Sequence, residues 1–321
     1  MRIISTGSAL PKLSITNEMF SSVIDTSDEW IFSRTGISSR FIADGETAES
    51  LAVDAAKVAI EVAGIATEDI GLLICASVTS EYLVPSLACL VQRDLGLRED
   101  IFAFDVNAAC SGFIYTLGVA QSIMKSGMVN GRYALLIGSE RLSRVTNYED
   151  RSTCVLFGDG AGAVIAEPTD GVFEFVSGVR GNAEPLRIGS HTSSISPFAQ
   201  PYEAIASTIY MDGQAVFKFA VEVMVKSICE VLSKAGKTAE EITHFVCHQA
   251  NKRVIMSAAQ RLGVPLERFF MNIQTHGNTS AASIPLALAE LNESGQLRRG
   301  DEIVFAGFGG GLTYGAVFMV W

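Results

Sequence analysis

A cysteine in the stretch "FDVNAACSGFIYTLG", residues 104–118, is the first residue that could do chemistry. Cys110 follows a short apolar run, Phe102–Val106, that reads as a strand, and precedes a longer one, residues 113–124, that reads as a buried helix. A cysteine there can be a small packed hydrophobe. It can also be a nucleophile, because a helix N-terminus favours the thiolate. The chain holds four histidines, at 191, 244, 248 and 276. His248 ends the strand-like "THFVCHQ", and the ends of strands are where open α/β sheets hold ligands. His191 in "IGSHTSSISPFAQP" reads as a loop residue, His244 as a structural strand opener, and His276 in "THGNTSAAS" as a turn histidine two residues before Asn278. Beside a nucleophilic cysteine, a histidine acts as base or hydrogen-bond donor, and an asparagine donates without titrating. Such a set suits an oxyanion or an enolate. Residue types alone leave both readings of Cys110 open, since most chains of this size contain all three.

Elements must bring these residues together. Apolar β-rich runs alternate with helical patterns from end to end, which marks an α/β protein. Leu51, Ala55, Ala59 and Val62 form a helical stripe closed by Gly64, and residues 71–77 form a buried strand. Phe217, Val221, Met224, Ile228, Val231 and Ala235 step at helical spacing up to Gly236, and Lys252–Leu262 reads as a helix ending at Gly263. After Gly71 the order is strand, helix, strand, Cys110, apolar helix, strand "YALLIG", glycine turn "FGDGAG", strand "AVIAE". After Ile242 it is strand with His248, helix, strand, Asn278, apolar helix, strand "EIVFAG", glycine turn "FGGGLTYG", strand "AVFMVW". Cys110 to Ile137 and Asn278 to Phe305 both span 27 residues. This repetition predicts two duplicated halves, 1–167 and 168–321, with Cys110 and Asn278 at equivalent strand-to-helix junctions around a pseudo-twofold axis.

The glycine runs do not match a dinucleotide fingerprint, which must open a helix; here β-type sequence follows. They read as tight turns whose backbone N–H groups can approach a reacting carbonyl.

The bulk properties exclude several classes. The chain has 321 residues, 48% of them hydrophobic and 18% charged, enough for a large core and two subdomains. A net charge of −11 disfavours nucleic acid as a partner. Six cysteines at 75, 89, 110, 154, 229 and 247 include no CxxC pair, which argues against a disulfide framework and against a structural metal site. The N-terminal "MRIISTGSALPKLS" has too short an apolar run for a signal peptide, and no stretch approaches the roughly 20 apolar residues of a membrane span. The expectation is a cytoplasmic protein with no membrane contact.

Taken in order, "DEWIFSRTGI", "NAACSGF", "FGDGAGA", "CHQANKRVI", "HGNTSAAS" and "FGGGLTYG" resemble the β-ketoacyl-acyl carrier protein synthase III family of the thiolase superfamily, along essentially the whole chain. The resemblance implies an α/β thiolase-like fold of five αβαβα layers built from two duplicated halves, and a homodimer. It implies a triad of Cys110, His248 and Asn278. Cys110 would take the acyl group of an acyl-coenzyme A primer. Malonyl-acyl carrier protein would then lose CO2, its enolate held by His248 and Asn278, and attack the acyl-cysteine. The resemblance assigns the oxyanion hole to the N–H groups of Cys110 and Gly310. It also implies that acyl-coenzyme A is a substrate and that no cofactor is needed. "GNT" at Asn278, where elongating synthases carry "GHT", points to a priming enzyme.

By the same resemblance, coenzyme A is held by Trp30, Arg34, Arg151 and Asn251, with adenine stacked between Trp30 and Arg151. The acidic carrier protein needs a local basic surface, for which Lys218, Lys252, Arg253 and Arg261 are candidates. Val84 stands where many family members carry a phenylalanine that closes the partner subunit's acyl pocket, so a longer pocket is expected. Cys247 reads as a packed strand residue, and Pro285 implies a late start or a kink in the helix after Asn278. The alternatives are a related enzyme of secondary metabolism, an inactive relative that acts as a binding partner, and a thioester hydrolase.

Overall fold

A computed structural model describes residues 1–189, 198 and 205–321. His191 lies outside the described residues. The first sheet contains β1 (Arg2–Ala9), β2 (Ile70–Ala76), β3 (Phe102–Val106), β4 (Tyr133–Arg141) and β5 (Asp159–Glu167), in the order β1-β5-β4-β2-β3. The second contains β6 (Phe173–Asn182), β7 (His244–Cys247), β8 (Glu302–Gly309) and β9 (Gly311–Val320), in the order β6-β9-β8-β7. A single parallel bridge from Phe245 to Phe269 stands where the first sheet has β3. The two sheets therefore repeat one topology.

Seven helices matter to the argument: α1 (Asp28–Thr35), α2 (Ala48–Ala63), α3 (Leu87–Leu95), α4 (Gly112–Ser126), α5 (Gly213–Ala235), α6 (Lys252–Leu262) and α7 (Ser283–Glu293). α2 and α3 cover the outer face of the first sheet. α5 and α6 cover the outer face of the second. α4 and α7 lie between the sheets, with Phe113, Leu117, Ile284 and Leu288 packed against both. Five layers result. The two central helices are mostly apolar because most of their surface is buried between the sheets.

Local signals set the helix ends. Thr47 and Ser50 form a reciprocal capping box at the start of α2, and Gly64 closes it at a φ of +61°. Leu51, Ala55 and Ala59 are buried as expected, but Val62, in the last turn, is exposed. Pro285 is the third residue of α7, inside the first turn where proline removes no helix bond, so the late start is the observed outcome.

Two expectations need correction. "FGDGAG" is not a turn: Gly160 and Gly162 lie within β5. A Cβ on Gly162 would come within 2.6 Å of the Leu286 N atom, so the glycine is there to let α7 approach the strand. In "FGGGLTYG" only Gly310 stands between strands.

The second correction concerns register. Cys75 pairs with Ile137 in the first sheet and Cys247 with Ala306 in the second, and the pairs Gly138–Gly162 and Gly307–Gly315 follow in step. Short 3-10 turns, Ala109–Ser111 and Ser280–Ala282, lead into α4 and α7. Each turn opens with a non-glycine residue in the left-handed region, Ala109 at φ +47° and Ser280 at +49°. The counterpart of Cys110 is thus Ala281, and the counterpart of Asn278 is Asn107. Equal spacing misaligned them because α7 has 11 residues and α4 has 15.

Candidate active site

The two turns meet in a cavity of about 910 Å³ lined by Cys110, His248, Asn278, Gly310, Asn107 and Ser280, with Trp30, Arg34, Asn251 and Arg253 among its other walls. Cys110 sits mid-turn just before α4. Burial pushes its thiol up to about 12, opposed by the Ser280 hydroxyl and reinforced by Glu140. The helix N-terminus therefore does not make a resting thiolate: desolvation outweighs it, and the sulfur is protonated at neutral pH.

His248 follows β7, and its N–H bonds the Ala306 carbonyl at 2.8 Å. Its Nδ1 lies 2.7 Å from Ser283 Oγ, and its ring stands edge-on to Phe308. Burial pulls its pKa down to about 3, so the ring is neutral. When Ser283 donates to Nδ1, the proton sits on Nε2, the tautomer that can donate into the cavity. Asn278 is buried, and its Oδ1 accepts from the Ser280 N–H at 2.9 Å. Holding Oδ1 in the turn leaves the amide NH2 as the free donor end. A neutral histidine and an asparagine can both stabilise a developing oxyanion, and neither can serve as a strong base.

Close approach of backbone to Cys110 belongs to Gly309 rather than Gly310. A Cβ on Gly309 would lie 2.6 Å from the Cys110 N atom, whereas one on Gly310 would meet nothing nearer than 3.6 Å. Thr313 clips the two segments together: its hydroxyl lies 3.0 Å from both the Ala108 and Gly310 carbonyls and accepts from Ser111 Oγ at 2.8 Å.

Toward the cavity mouth, the guanidinium groups of Arg34 and Arg151 each lie 4.7 Å from the centre of the Trp30 ring. A base between Trp30 and Arg151 needs about 7 Å for two van der Waals layers, so Arg151 must move out to admit one. Arg151 is tied to the Asp25 carbonyl at 2.8 Å. Asn251 caps α6 by accepting from the Arg253 N–H at 2.9 Å, and its Nδ2 donates to the Arg34 carbonyl at 3.0 Å. One side chain thus joins α6 to α1.

The basic candidates are spread out. Arg253 lines the cavity with its guanidinium 5.7 Å from the Phe217 ring. Lys218 is exposed one residue beyond Phe217, lining a neighbouring cleft. The Lys252 stem packs against Gly36, and Arg261 is exposed at the far end of α6, about 12 Å along the axis from Arg253. Val84 does not line this chain's cavity; Leu83 does. Tyr82, Leu83 and Val84 are 57, 82 and 85% exposed, an unusual apolar run. His276 is buried, with Nε2 2.7 Å from Glu290 Oε1, His244 lies 3.5 Å from Asp301, and neither lines the cavity. Cys247 is packed in β7, and burial pushes its thiol up to about 12.

Sequence reasoning missed Asn107, Ser280, Ser283 and Gly309. The signal for the first two was present: "NAACSG" and "NTSAAS" each place an asparagine two residues before the left-handed residue. Among the described residues, no group of three or more His, Cys, Asp or Glu side chains is placed to hold a metal ion, and no helix is long and apolar enough to cross a membrane.

Comparison with known proteins gives a consistent set of matches. Family models described as 3-oxoacyl-[acyl-carrier-protein] synthase III and its C-terminal region match residues 104–181 and 232–321. The chain is 45% identical to the β-ketoacyl-[acyl-carrier-protein] synthase III of Clostridium acetobutylicum, over 100% of this chain and 98% of that one. It superposes on the crystal structure of 3-oxoacyl-[acyl-carrier-protein] synthase III from Aquifex aeolicus with a TM-score of 0.92 and 44% identity, covering 100% of this chain and 99% of the other. The priming β-ketosynthase of the R1128 polyketide pathway matches with a TM-score of 0.90 and 35% identity, over 99% of this chain and 95% of that one.

Proposed function

Since the chain belongs to the β-ketoacyl-acyl carrier protein synthase III family, we propose that Cys110, His248 and Asn278 carry out the condensation that such enzymes perform. The protein is a condensing acyltransferase with the thiolase fold. It joins the acyl group of an acyl-coenzyme A primer to malonyl-acyl carrier protein, giving a β-ketoacyl-acyl carrier protein, coenzyme A and CO2, the step that initiates type II fatty acid synthesis.

In the first half-reaction, the Cys110 sulfur attacks the thioester carbonyl, the bond to the coenzyme A sulfur breaks, and coenzyme A leaves as the thiol. The N–H groups of Cys110 and Gly310 hold the oxyanion. Losing one such donor typically raises the barrier by about 2.7–4 kcal/mol. In the second, the carbon–carboxylate bond of the malonyl group breaks and its electrons form an enolate. His248 Nε2 and the Asn278 amide donate to the enolate oxygen. Its carbon attacks the acyl-cysteine, the carbon–sulfur bond breaks, and Cys110 takes up a proton. No strong base is required, because CO2 loss generates the carbanion. The observation that carries this reading is the convergence of one thiol, one neutral imidazole and one amide in a single cavity.

Trp30, Arg34, Arg151 and Asn251 bind coenzyme A, with Arg151 swinging away from Trp30. Lys218, Lys252, Arg253 and Arg261 serve the acidic carrier protein, Arg253 at the rim and Arg261 at the periphery. The exposed run 82–84 forms part of a homodimer interface and brings Val84 to the partner's pocket. No cofactor takes part, the halves divide at 167/168, and the enzyme works in the cytoplasm. The match to a polyketide priming synthase supports a second setting for the same chemistry, which the carrier protein accepted in turnover assays separates.

The test is intact-mass measurement after incubation with acyl-coenzyme A primers from acetyl to longer and branched chains. One acyl mass should appear on the wild type and none on Cys110→Ala. A chain that takes no primer of any length would refute the first half-reaction.

A further inference from the structure

Among the described residues, Arg40 is the largest side chain that the fold buries completely. It lies on the short strand Ser39–Ile42, and its hydrogen bonds all go to uncharged acceptors. Nη1 donates to Asn17 Oδ1 at 2.8 Å and reaches the Ile15 carbonyl at 3.4 Å. Nη2 donates to the Val155 carbonyl at 2.6 Å. Burial lowers the guanidinium to about 10, so it remains charged at neutral pH. A buried charge with no counter-charge is costly. What it holds in return is a short stretch of backbone.

Val155, Leu156 and Phe157 line the cavity, and the chain continues through Gly158 into β5. This stretch grips the Asn278 backbone on both sides. The Asn278 N–H donates to the Leu156 carbonyl at 2.8 Å, and the Gly158 N–H donates to the Asn278 carbonyl at 3.1 Å. The two bonds make Phe157 and Asn278 an isolated parallel bridge. Arg40 is wedged against the same place through its own backbone. A Cβ on Gly158 or Gly277 would lie 3.1 or 3.2 Å from the Arg40 Cβ, so the glycines beside the bridge make room for it. The strand is tied to the approach to Asn278 as well, since the Ser38 N–H donates to the Gln274 carbonyl at 2.8 Å. The Cys110 turn is held separately, by Gly309 and Thr313.

We propose that Arg40 is a positioning residue for Asn278: by holding the Val155 carbonyl, it fixes the backbone stretch that sets the Asn278 amide in the cavity. This rests on the reading of Asn278 as an enolate donor and of Cys110 as the acyl acceptor. Arg40 touches neither the substrate nor the reacting atoms. Its loss therefore separates the two half-reactions. Carbon–carboxylate cleavage needs the Asn278 donor in place, whereas acyl transfer to Cys110 does not.

The test compares wild type, Arg40→Met, Arg40→Lys and Asn278→Ala, each well below its melting transition. Three quantities are read: CO2 release from malonyl-acyl carrier protein without primer, acyl mass gain on Cys110, and amide hydrogen exchange at Gly158 and Asn278. Acyl gain is taken at saturating acyl-coenzyme A, because Asn17 also ties Arg40 to α1 through Asp28. Arg40→Met should release CO2 ~100-fold more slowly, the scale of a misplaced reacting group, with acyl gain kept. Arg40→Lys should show a smaller loss of the same kind, since one ammonium cannot reproduce the guanidinium fork. Both should exchange faster at Gly158 and Asn278, with the Cys110 turn unchanged. Folded variants in which both half-reactions fall together, or neither falls, would overturn the proposal, as would unchanged exchange at the bridge. If Asn278→Ala releases CO2 as the wild type does, the enolate reading of Asn278 fails. Exchange at the bridge then decides for or against the Arg40 clamp by itself.

Discussion

At the residue scale, the site is built from groups held in their neutral forms. Glu140 and His248 are both moved toward neutrality by burial, in opposite directions along the pH axis. Burial raises the Glu140 carboxyl to about 7 in the folded protein, against 4.5 for an ordinary glutamate. Its protonated form is favoured by folding, so that stabilisation is complete below 4.5 and lost as pH rises through 7. Glu140→Gln should therefore gain on the wild type over that window, reaching about 3 kcal/mol at pH 8. Urea midpoints at pH 4.5 and pH 8 measure this, and a pH-independent difference would contradict it. His248 behaves oppositely: lowered from 6.5 to about 3, its contribution is present above 6.5 and lost as pH falls through 3. Glycine matters just as locally. Gly309→Ala forces a Cβ to within 2.6 Å of the Cys110 N atom and should slow acylation ~100-fold, whereas Gly310→Ala keeps its N–H and has room. Rates of acyl mass gain in the two variants decide whether crowding at 309 or at 310 matters.

At the element scale, helix ends do more than terminate helices. Asn251 caps α6 and braces α1 through the Arg34 carbonyl, so the two walls bearing Trp30 and Arg253 are set by one side chain. Asn251→Ala should cost about 1 kcal/mol of stability and weaken coenzyme A binding, measured as a lower melting temperature and a raised KM for acyl-coenzyme A. An unchanged KM would leave Asn251 as a cap alone. Helix boundaries were the part of this scale most open to reading in advance. Caps and spacing are local, so the sequence pattern gives Lys252–Leu262 to the residue and places the end of α5 at Ala235–Gly236. The glycine runs were misread, because what crowds Gly162 is α7, more than 120 residues away.

At the scale of the whole molecule, duplication places the chemistry. Each half supplies a turn that opens with a left-handed residue, and the opposing half's strand end supports it. Chain-level exposure of Tyr82, Leu83 and Val84 identifies the surface most in need of a partner. On the proposed homodimer, Val84→Asp should lower the sedimenting mass from two chains to one and alter which primer lengths add mass. A variant that sediments as the wild type does would place the interface elsewhere.

Much of this protein can be recognised before it folds. Family resemblance singles out Cys110, His248 and Asn278, which residue types alone leave open, and alternating patterns reveal an α/β duplication, because hydrophobic period and capping chemistry act over a few residues. Alignment of the halves could not be read that way. Counting residues from Cys110 led to Asn278, whereas strand pairing leads to Ala281, since helices of unequal length separate equivalent turns. Protonation states were equally out of reach. A thiol before a helix reads as a thiolate until burial raises it to about 12, and nothing in "GSERLS" marks Glu140 as buried until β4 carries it beneath the 280–282 turn. Both depend on desolvation, which is a property of everything packed around a group and so exists only once the layers have closed.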